Sequence, residues 1–364
     1  WAIHMARPWS LYLSHGIFFI VITAIGLREA IIRSIPDAVK TAITPGIGLF
    51  ITIIGLKNAG IVIANPATLV SLVDFSQWKA EGADMALING ALVALLGLVT
   101  MGILHARKVK GSILLGIVAA TLIGIPLGIT HISNLDMNIA VKFQDFAEVS
   151  FMKMDFAGLF AGGNFIETLF MVTMLVISFS LVNMFDSIGT LLGAAKQSGM
   201  IDENGEVIHM KQALMSDAIS TAAGAMVGTS TVTTVVESSA GIAAGGRTGL
   251  TSLVTAVMFL AAIIFVPVVS IIPAAATAPA LIFVGILMLG NIRDVDFSDM
   301  SNALPAFCTI VFMPFTYSIA NGVAFGLITY CLMKLTTGRK QDVKVLTLMI
   351  SAVFIVRYAF MTLG

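Results

Sequence analysis

Four acidic residues, Glu167, Asp186, Asp217 and Glu237, fall within or at the edge of long apolar runs. An ionisable side chain in such surroundings is costly to keep, so its default reading is functional. Glu167 and Asp217 stand near the starts of their expected helices, where an acid rests at an interface or favours the positive helix end, and the ordinary reading is preferred for both. Asp186 differs, because it closes the run Phe170–Phe185 and is followed by Ser187-Ile-Gly189-Thr190-Leu-Leu-Gly193. Asn183, Asp186 and Thr190 are spaced to share one helix face. Gly189 and Gly193 allow a second helix to approach closely. The competing reading is a polar patch that only binds helices together.

Glu237 lies inside Gly228-Thr-Ser-Thr-Val-Thr-Thr-Val-Val-Glu-Ser-Ser-Ala-Gly-Ile-Ala-Ala-Gly-Gly-Arg247. From Thr229 to Val236 every residue except Ser230 is β-branched, which suits a strand rather than a helix. The Ala/Gly/Ser-rich stretch after Glu237 suits a helix. A strand running into a half-helix, with Glu237 at the junction, is the broken-helix arrangement of midplane transport sites. Non-helical backbone at that depth must be paired or line a cavity, so the strand calls for a partner. A polar re-entrant loop without a ligand is the alternative. Two carboxylates facing one cavity can divide the work. One, ionised, accepts the N–H donors of a heterocycle. The other, kept protonated by burial, carries a proton.

The elements that must position these acids are membrane helices. The chain has 364 residues, of which 58% are hydrophobic and 11% charged, against about 25% charged in an ordinary soluble protein. Its mean hydropathy is +0.99, more apolar surface than a soluble domain of this size could bury. Apolar runs of spanning length occur at about 11–27, 42–62, 85–104, 111–130, 165–184, 212–228, 249–272, 277–291, 304–318, 320–335 and 345–362. The alternating ten-residue segments of a β-barrel do not occur. Lys plus Arg equals Asp plus Glu at 20 each, so no basic field points to nucleic acid. The five histidines form no metal-binding spacing, Cys308 and Cys331 lie inside apolar runs, and no nucleophile–base constellation exists. The expectation is a non-enzyme without metal or cofactor.

Short-loop basic residues orient the helices. Arg28, Arg33 and Lys40, then Arg107, Lys108 and Lys110, then Lys196 and Lys211, then Lys334, Arg339, Lys340 and Lys344 are expected on the cytoplasmic side. The acidic connection 131–163 is expected outside. The run 345–362, with Arg357 near its end, either spans or lies in the interface. Ala42–Phe50 echoes Ala276–Phe283, and Gly111–Gly116 echoes Gly322–Gly326, which suggests two repeats. Four runs precede Pro279 within the second repeat but one precedes Pro45. Three helices are therefore expected to be missing before Trp1.

At these residues the sequence resembles a known family. Asn183–Gly193, Gly228–Gly249, Ala303–Gly322 and Gly55–Gly60 are similar to signature stretches of AzgA-like adenine/guanine/hypoxanthine permeases, a branch of the nucleobase–cation symporter-2 or xanthine/uracil permeases. The resemblance covers essentially the whole chain. It implies an all-α polytopic fold of two inverted seven-helix repeats, with a core and a gate domain and a short strand–half-helix at the site, usually working as a homodimer. On that pattern 1–30 is the last helix of the first core half and 31–130 the first gate part. The segment 131–164 is an external loop, 165–272 the second core half with the substrate site, 273–336 the second gate part, and 337–364 a C-terminal hydrophobic segment.

The activity implied is import of a purine nucleobase through the cytoplasmic membrane by proton symport. Glu237 and Asp186 would hold the base and couple the proton, with Thr234, Val236 and Ser238 around Glu237. Thr190 falls where relatives place another polar or protonatable group. Val235 and Val236 stand where an aromatic is expected, a departure that alters stacking on the base. The alternatives are a uracil/xanthine or anion transporter of the same fold, whose nearest cation would be Arg247, and a fragment that transports nothing.

Overall fold

The computed structural model describes residues 2–78, 84–131, 144, 146–159, 198–203, 207–235, 238–243, 245–265, 269 and 271–363. Between 168 and 195 it also describes 168, 169, 172, 173, 176, 180, 183, 184, 187, 188, 190–192, 194 and 195, all helical. The principal helices are α1 (Ala2–Ala24), α2 (Leu27–Ser34), α3 (Asp37–Asn58), α4 (Met85–Ala106), α5 (Ser112–Gly124), α6 (Met210–Val227), α7 (Ser238–Ala243), α8 (Gly249–Ala262), α9 (Ala274–Leu289), α10 (Met300–Phe315), α11 (Ile319–Thr336) and α12 (Val345–Leu363). Among the described residues, four helices are long and apolar enough to cross a membrane: Asp37–Asn58, Met85–Ala106, Ala274–Asp294 and Ile319–Thr336. A fifth span is counted if the pair Trp9–Ala24 and Leu27–Ser34, bent by 74°, crosses as one. The expected runs 111–130, 249–272, 304–318 and 345–362 form shorter apolar helices. The protein is an α-helical, multi-pass membrane protein.

Among the described residues one β-hairpin interrupts the helices, where the sequence reads as a continuing apolar helix. β1 (Val62–Asn65) pairs antiparallel with β2 (Leu69–Leu72), Val62 opposite Leu72 and Asn65 opposite Leu69. The helical run expected to reach 62 stops at Asn58, where Gly60 takes φ +71° and turns the chain. Asn65 Oδ1 accepts the Ala67 N–H at 2.8 Å, an Asx turn that closes the hairpin.

The chain divides into two compact units. The second comprises Pro45–Met137 and Gly249–Arg293. Small residues hold it together: a Cβ at Gly48 would lie 2.9 Å from Gly285 O, and one at Gly55 would lie 3.0 Å from Ala278 O. Such close approach is how helices gain dispersion contacts where lipid removes any hydrophobic drive between them. Gly97 meets Ala120 and Pro279 in the same way. α3, which contains Pro45, and α9, which contains Pro279, echo one another in sequence and thus pack together through their glycines.

The first unit comprises Trp1–Thr44, Asn138–Thr248 and Asp294–Gly364. In it α1 packs on α6 through Gly16, where a Cβ would sit 2.7 Å from Ala222 Cα. Gly16→Val is expected to cost about 1–3 kcal/mol, because the obstacle is backbone that cannot swing aside. Heat-treated detergent extracts followed by size-exclusion chromatography would read this as an earlier loss of the monodisperse peak. In α10 and α11, Gly322 and Gly326 lie on Thr309 and Pro305. Asp299 caps α10 by accepting the Ser301 N–H at 2.9 Å and Arg339 at 2.6 Å. The Ser301 bonds and then Arg339 hold its carboxyl down to about 2. A depressed carboxylate stabilises above its unfolded value and is lost only as pH falls through the folded one, so this cap stays charged throughout the neutral range. Lys334, read from sequence as a loop charge, is buried in the last turn of α11 and donates to Ser301 Oγ at 2.9 Å.

Candidate functional site

The polar centre of the first unit is built from α1, α2, α6, the helical residues described between 168 and 195, and the segment 229–235. α1 ends at Ala24, and Gly26 with φ +75° breaks the helix so that α2 leaves at a sharp angle. The break turns Arg28 inward. Its side chain is wholly buried, its guanidinium 3.8 Å above the Phe19 ring. Arg28 donates to Asp217 Oδ2 at 2.9 Å, to Leu214 O at 2.9 Å and to Thr23 Oγ1 at 3.3 Å.

Asp217 answers with a full set of acceptor bonds. Oδ2 also takes the Ser187 hydroxyl at 2.8 Å. Oδ1 takes the Thr234 N–H at 3.3 Å and the Thr234 hydroxyl at 3.4 Å. Four donors match the four lone-pair sites of an ionised carboxylate. Because the Ser187 hydrogen goes to Asp217, the Thr233 hydroxyl 2.9 Å away must donate to Ser187 Oγ. Thr221 Oγ1 lies 2.6 Å from Val232 O, and the Thr229 N–H returns to Gly224 O at 2.9 Å. Asp217 therefore ties three chain segments to one buried cation.

These bonds replace the ladder expected for 229–236. Among the described residues, 229–235 form no strand. β-branched residues make a strand only where a second one lies alongside to take the backbone groups. Here the Thr221 hydroxyl and the Asp217 carboxylate, both on α6, take the Val232 carbonyl and the Thr234 N–H instead. The half-helix itself is present as the six-residue α7, and Arg247 closes its end by donating to Ile242 O at 3.0 Å. A second buried group lies further along α1, where His15 contacts Ser180 Oγ at 2.7 Å and Asn183 Nδ2 at 3.3 Å.

Comparison with known proteins decides the family. A model of the xanthine/uracil permeases, described as Permease family, matches residues 1–325. The chain belongs to this permease family. It is 37% identical over 360 residues to the adenine permease AdeP of Escherichia coli, covering 98% of this chain and 76% of that one. It is 38% identical over 344 residues to the adenine permease AdeQ of the same organism, covering 93% and 70%. It is 36% identical over 363 residues to the guanine/hypoxanthine permease PbuO of Bacillus subtilis, covering 97% and 77%. These similarities place the permease in the AzgA-like branch and in the cell membrane.

Of the permease's expected site residues, Glu237, Asp186 and Val236 lie outside the described residues, as does Glu167. Thr234 is half-buried and bound to Asp217 through both its amide and its hydroxyl. Thr190 is buried and donates to Ser187 O at 3.1 Å. Ser238 begins α7, is exposed, and returns its N–H to Val235 O at 3.3 Å. Thr190 and Thr234 thus reach one network from two segments, through Ser187 and Asp217.

Two expectations need correction. Asp217 was placed near a helix start, but α6 begins at Met210, so the acid sits two turns inside and is buried. Arg28 was counted among cytoplasmic loop charges, whereas it is the buried partner of Asp217. The signal that could have paired them is their chemistry: a cation just past an apolar run and an acid within another each need a counter-ion.

Proposed function

We propose that this permease imports purine nucleobases across the cytoplasmic membrane by proton symport. The observation that carries the reading is the extended similarity to relatives named for adenine and for guanine/hypoxanthine. Nucleobase transport is what all these names share, and the purine class is the finer proposal. Glu237 and Asp186 hold the base, with Thr190, Thr234, Val236 and Ser238 lining the same site. One carboxylate accepts ring N–H donors while the other takes up a proton from outside. The base and the proton leave together on the cytoplasmic side, so each cycle carries net positive charge inward and is driven by the proton gradient.

The buried network supports this assignment by holding the flanks of both acids. Ser187, one residue after Asp186, is bound to Asp217, and so is Thr234, three residues before Glu237. Rigid flanks are what a recognition site requires, since a loosely held carboxylate loses affinity to ordering costs. Arg247, the cation that the anion reading calls for, donates to Ile242 O at the end of α7. The proposal includes the core and gate division of the family, with the second core half over 165–272 and gate parts over 31–130 and 273–336. It also includes two inverted seven-helix repeats and a homodimer. Core and gate are defined by which parts move, which the packing units do not decide.

The test is uptake of radiolabelled hypoxanthine and adenine by cells that lack their own purine permeases and express this protein. Uptake is expected, and a protonophore is expected to remove it. Inserted protein that carries neither base would overturn the reading, and competition by uracil would move it to the pyrimidine side of the family.

A further inference from the structure

The hydrogens of the His15 cluster can be placed by elimination. Ser180 Oγ has one hydrogen and lies 2.7 Å from Val176 O, which can only accept, so the hydroxyl points there. Its oxygen is then left to accept from His15 Nδ1, also at 2.7 Å, and Nδ1 must carry the proton. Asn183 Nδ2, an amide nitrogen, can only donate, so His15 Nε2 at 3.3 Å accepts and is bare. The bonds run one way, from Asn183 through the imidazole to Ser180 and on to Val176 O. The ring is held in that orientation against Phe19, with centroids 4.9 Å apart, and no part of it is exposed.

The consequence for the site lies in the residues that flank Asp186 in sequence. Asn183 precedes Asp186 by three residues and Ser187 follows it by one. Asn183 is held from α1 by His15, and Ser187 is held from α6 by Asp217. Asn183 and Ser187, which flank Asp186 in sequence, are therefore each held by a different helix.

We propose that His15, as a neutral imidazole protonated on Nδ1, is a positioning residue for the nucleobase site, acting through Asn183, which precedes Asp186 by three residues. This rests on the purine-transport reading above, and it assigns a role to a side chain that does not itself touch the base. The substitutions that test it differ in which ring nitrogen they imitate. In His15→Gln the longer amide reaches the Nε2 position and its oxygen can accept from Asn183. In His15→Asn the shorter amide imitates Nδ1 alone and leaves Asn183 without its acceptor.

For hypoxanthine uptake, His15→Asn and Asn183→Ala are each expected to raise KM about tenfold, the worth of one buried hydrogen bond, with little change in maximal rate. The double variant is expected to be no worse than either single one. His15→Gln is expected to stay within about threefold of the parent, since it keeps that bond. Equal KM in the parent and His15→Asn, or additive losses in the double variant, would overturn the proposal.

A second readout does not depend on transport. The imidazole nitrogen spectrum of histidine-labelled protein in detergent, with His15 identified as the signal missing from His15→Gln, is expected to show the Nδ1-protonated tautomer. A proton on Nε2 instead, or on both nitrogens, at neutral pH would also overturn the proposal. A parent protein that carries no purine would sink the transport reading, and the spectrum would still decide the tautomer.

Discussion

Glu237→Gln is expected to abolish purine uptake while the protein remains in the membrane. The substitution keeps the size of the side chain and changes two properties. An ionised carboxylate offers only acceptors to the ring N–H groups, whereas the amide turns a donor toward one of them. Losing a charge-assisted bond in a desolvated site costs about 1.5–3 kcal/mol, or roughly 10- to 100-fold in affinity. The amide also cannot bind and release a proton, so any coupling that passes through this group ends. Together these take transport below detection rather than merely weakening it. The measurement is uptake per membrane-inserted molecule, with surface abundance read by a tag. Uptake at the parental level would remove Glu237 from the site.

The second large effect is expected at Arg28 and Asp217. Breaking a buried ion pair by removing one partner leaves a stranded charge and costs about 3–5 kcal/mol, a large part of a typical total stability of about 5–15 kcal/mol. Arg28→Met strands a carboxylate whose side chain is 2% exposed, and Asp217→Leu strands a guanidinium that is 0% exposed. Each single variant should lose its monodisperse peak in detergent at a markedly lower temperature than the parent. The double variant Arg28→Met/Asp217→Leu should regain much of that loss, because two apolar side chains need no counter-ion. It should still fail to transport, because Thr234 and Ser187 lose the acceptor that holds them. Single variants as stable as the parent would show that the pair contributes nothing to the fold.

The two predictions draw on different levels of information. Glu237 is proposed from sequence alone, since a carboxylate following a β-branched run and preceding an Ala/Gly/Ser stretch stands out in an apolar chain. The same holds for the helices at 37–58, 85–106 and 319–336, where an unbroken apolar run of about 20 residues has one outcome in a bilayer. The family motifs around Asn183 and Glu237 were equally plain. The hairpin at 62–72 was not, because its strands are only four residues each and continue the apolar character of the helix before them.

The buried pair shows the limit most clearly. Arg28 and Asp217 are 189 positions apart, and no periodicity links them. By sequence Arg28 is one more basic residue after an apolar run, and Asp217 is one more acid near a helix start. What joins them is the break at Gly26, which turns Arg28 inward, and the close crossing of α1 on α6 that Gly16 and Ala222 permit. On α6 itself, the Thr221 hydroxyl and the Asp217 carboxylate take backbone groups of 229–235 in place of a strand partner. Composition and apolar runs alone determined that this chain is a helical membrane protein and where its conspicuous acids fall in the sequence, and its motifs carried the resemblance to the permeases. Only the tertiary structure decided which buried charge answers which, because a counter-ion is chosen by distance in space after helices pack, and helix packing is set by small residues whose contacts no local pattern records.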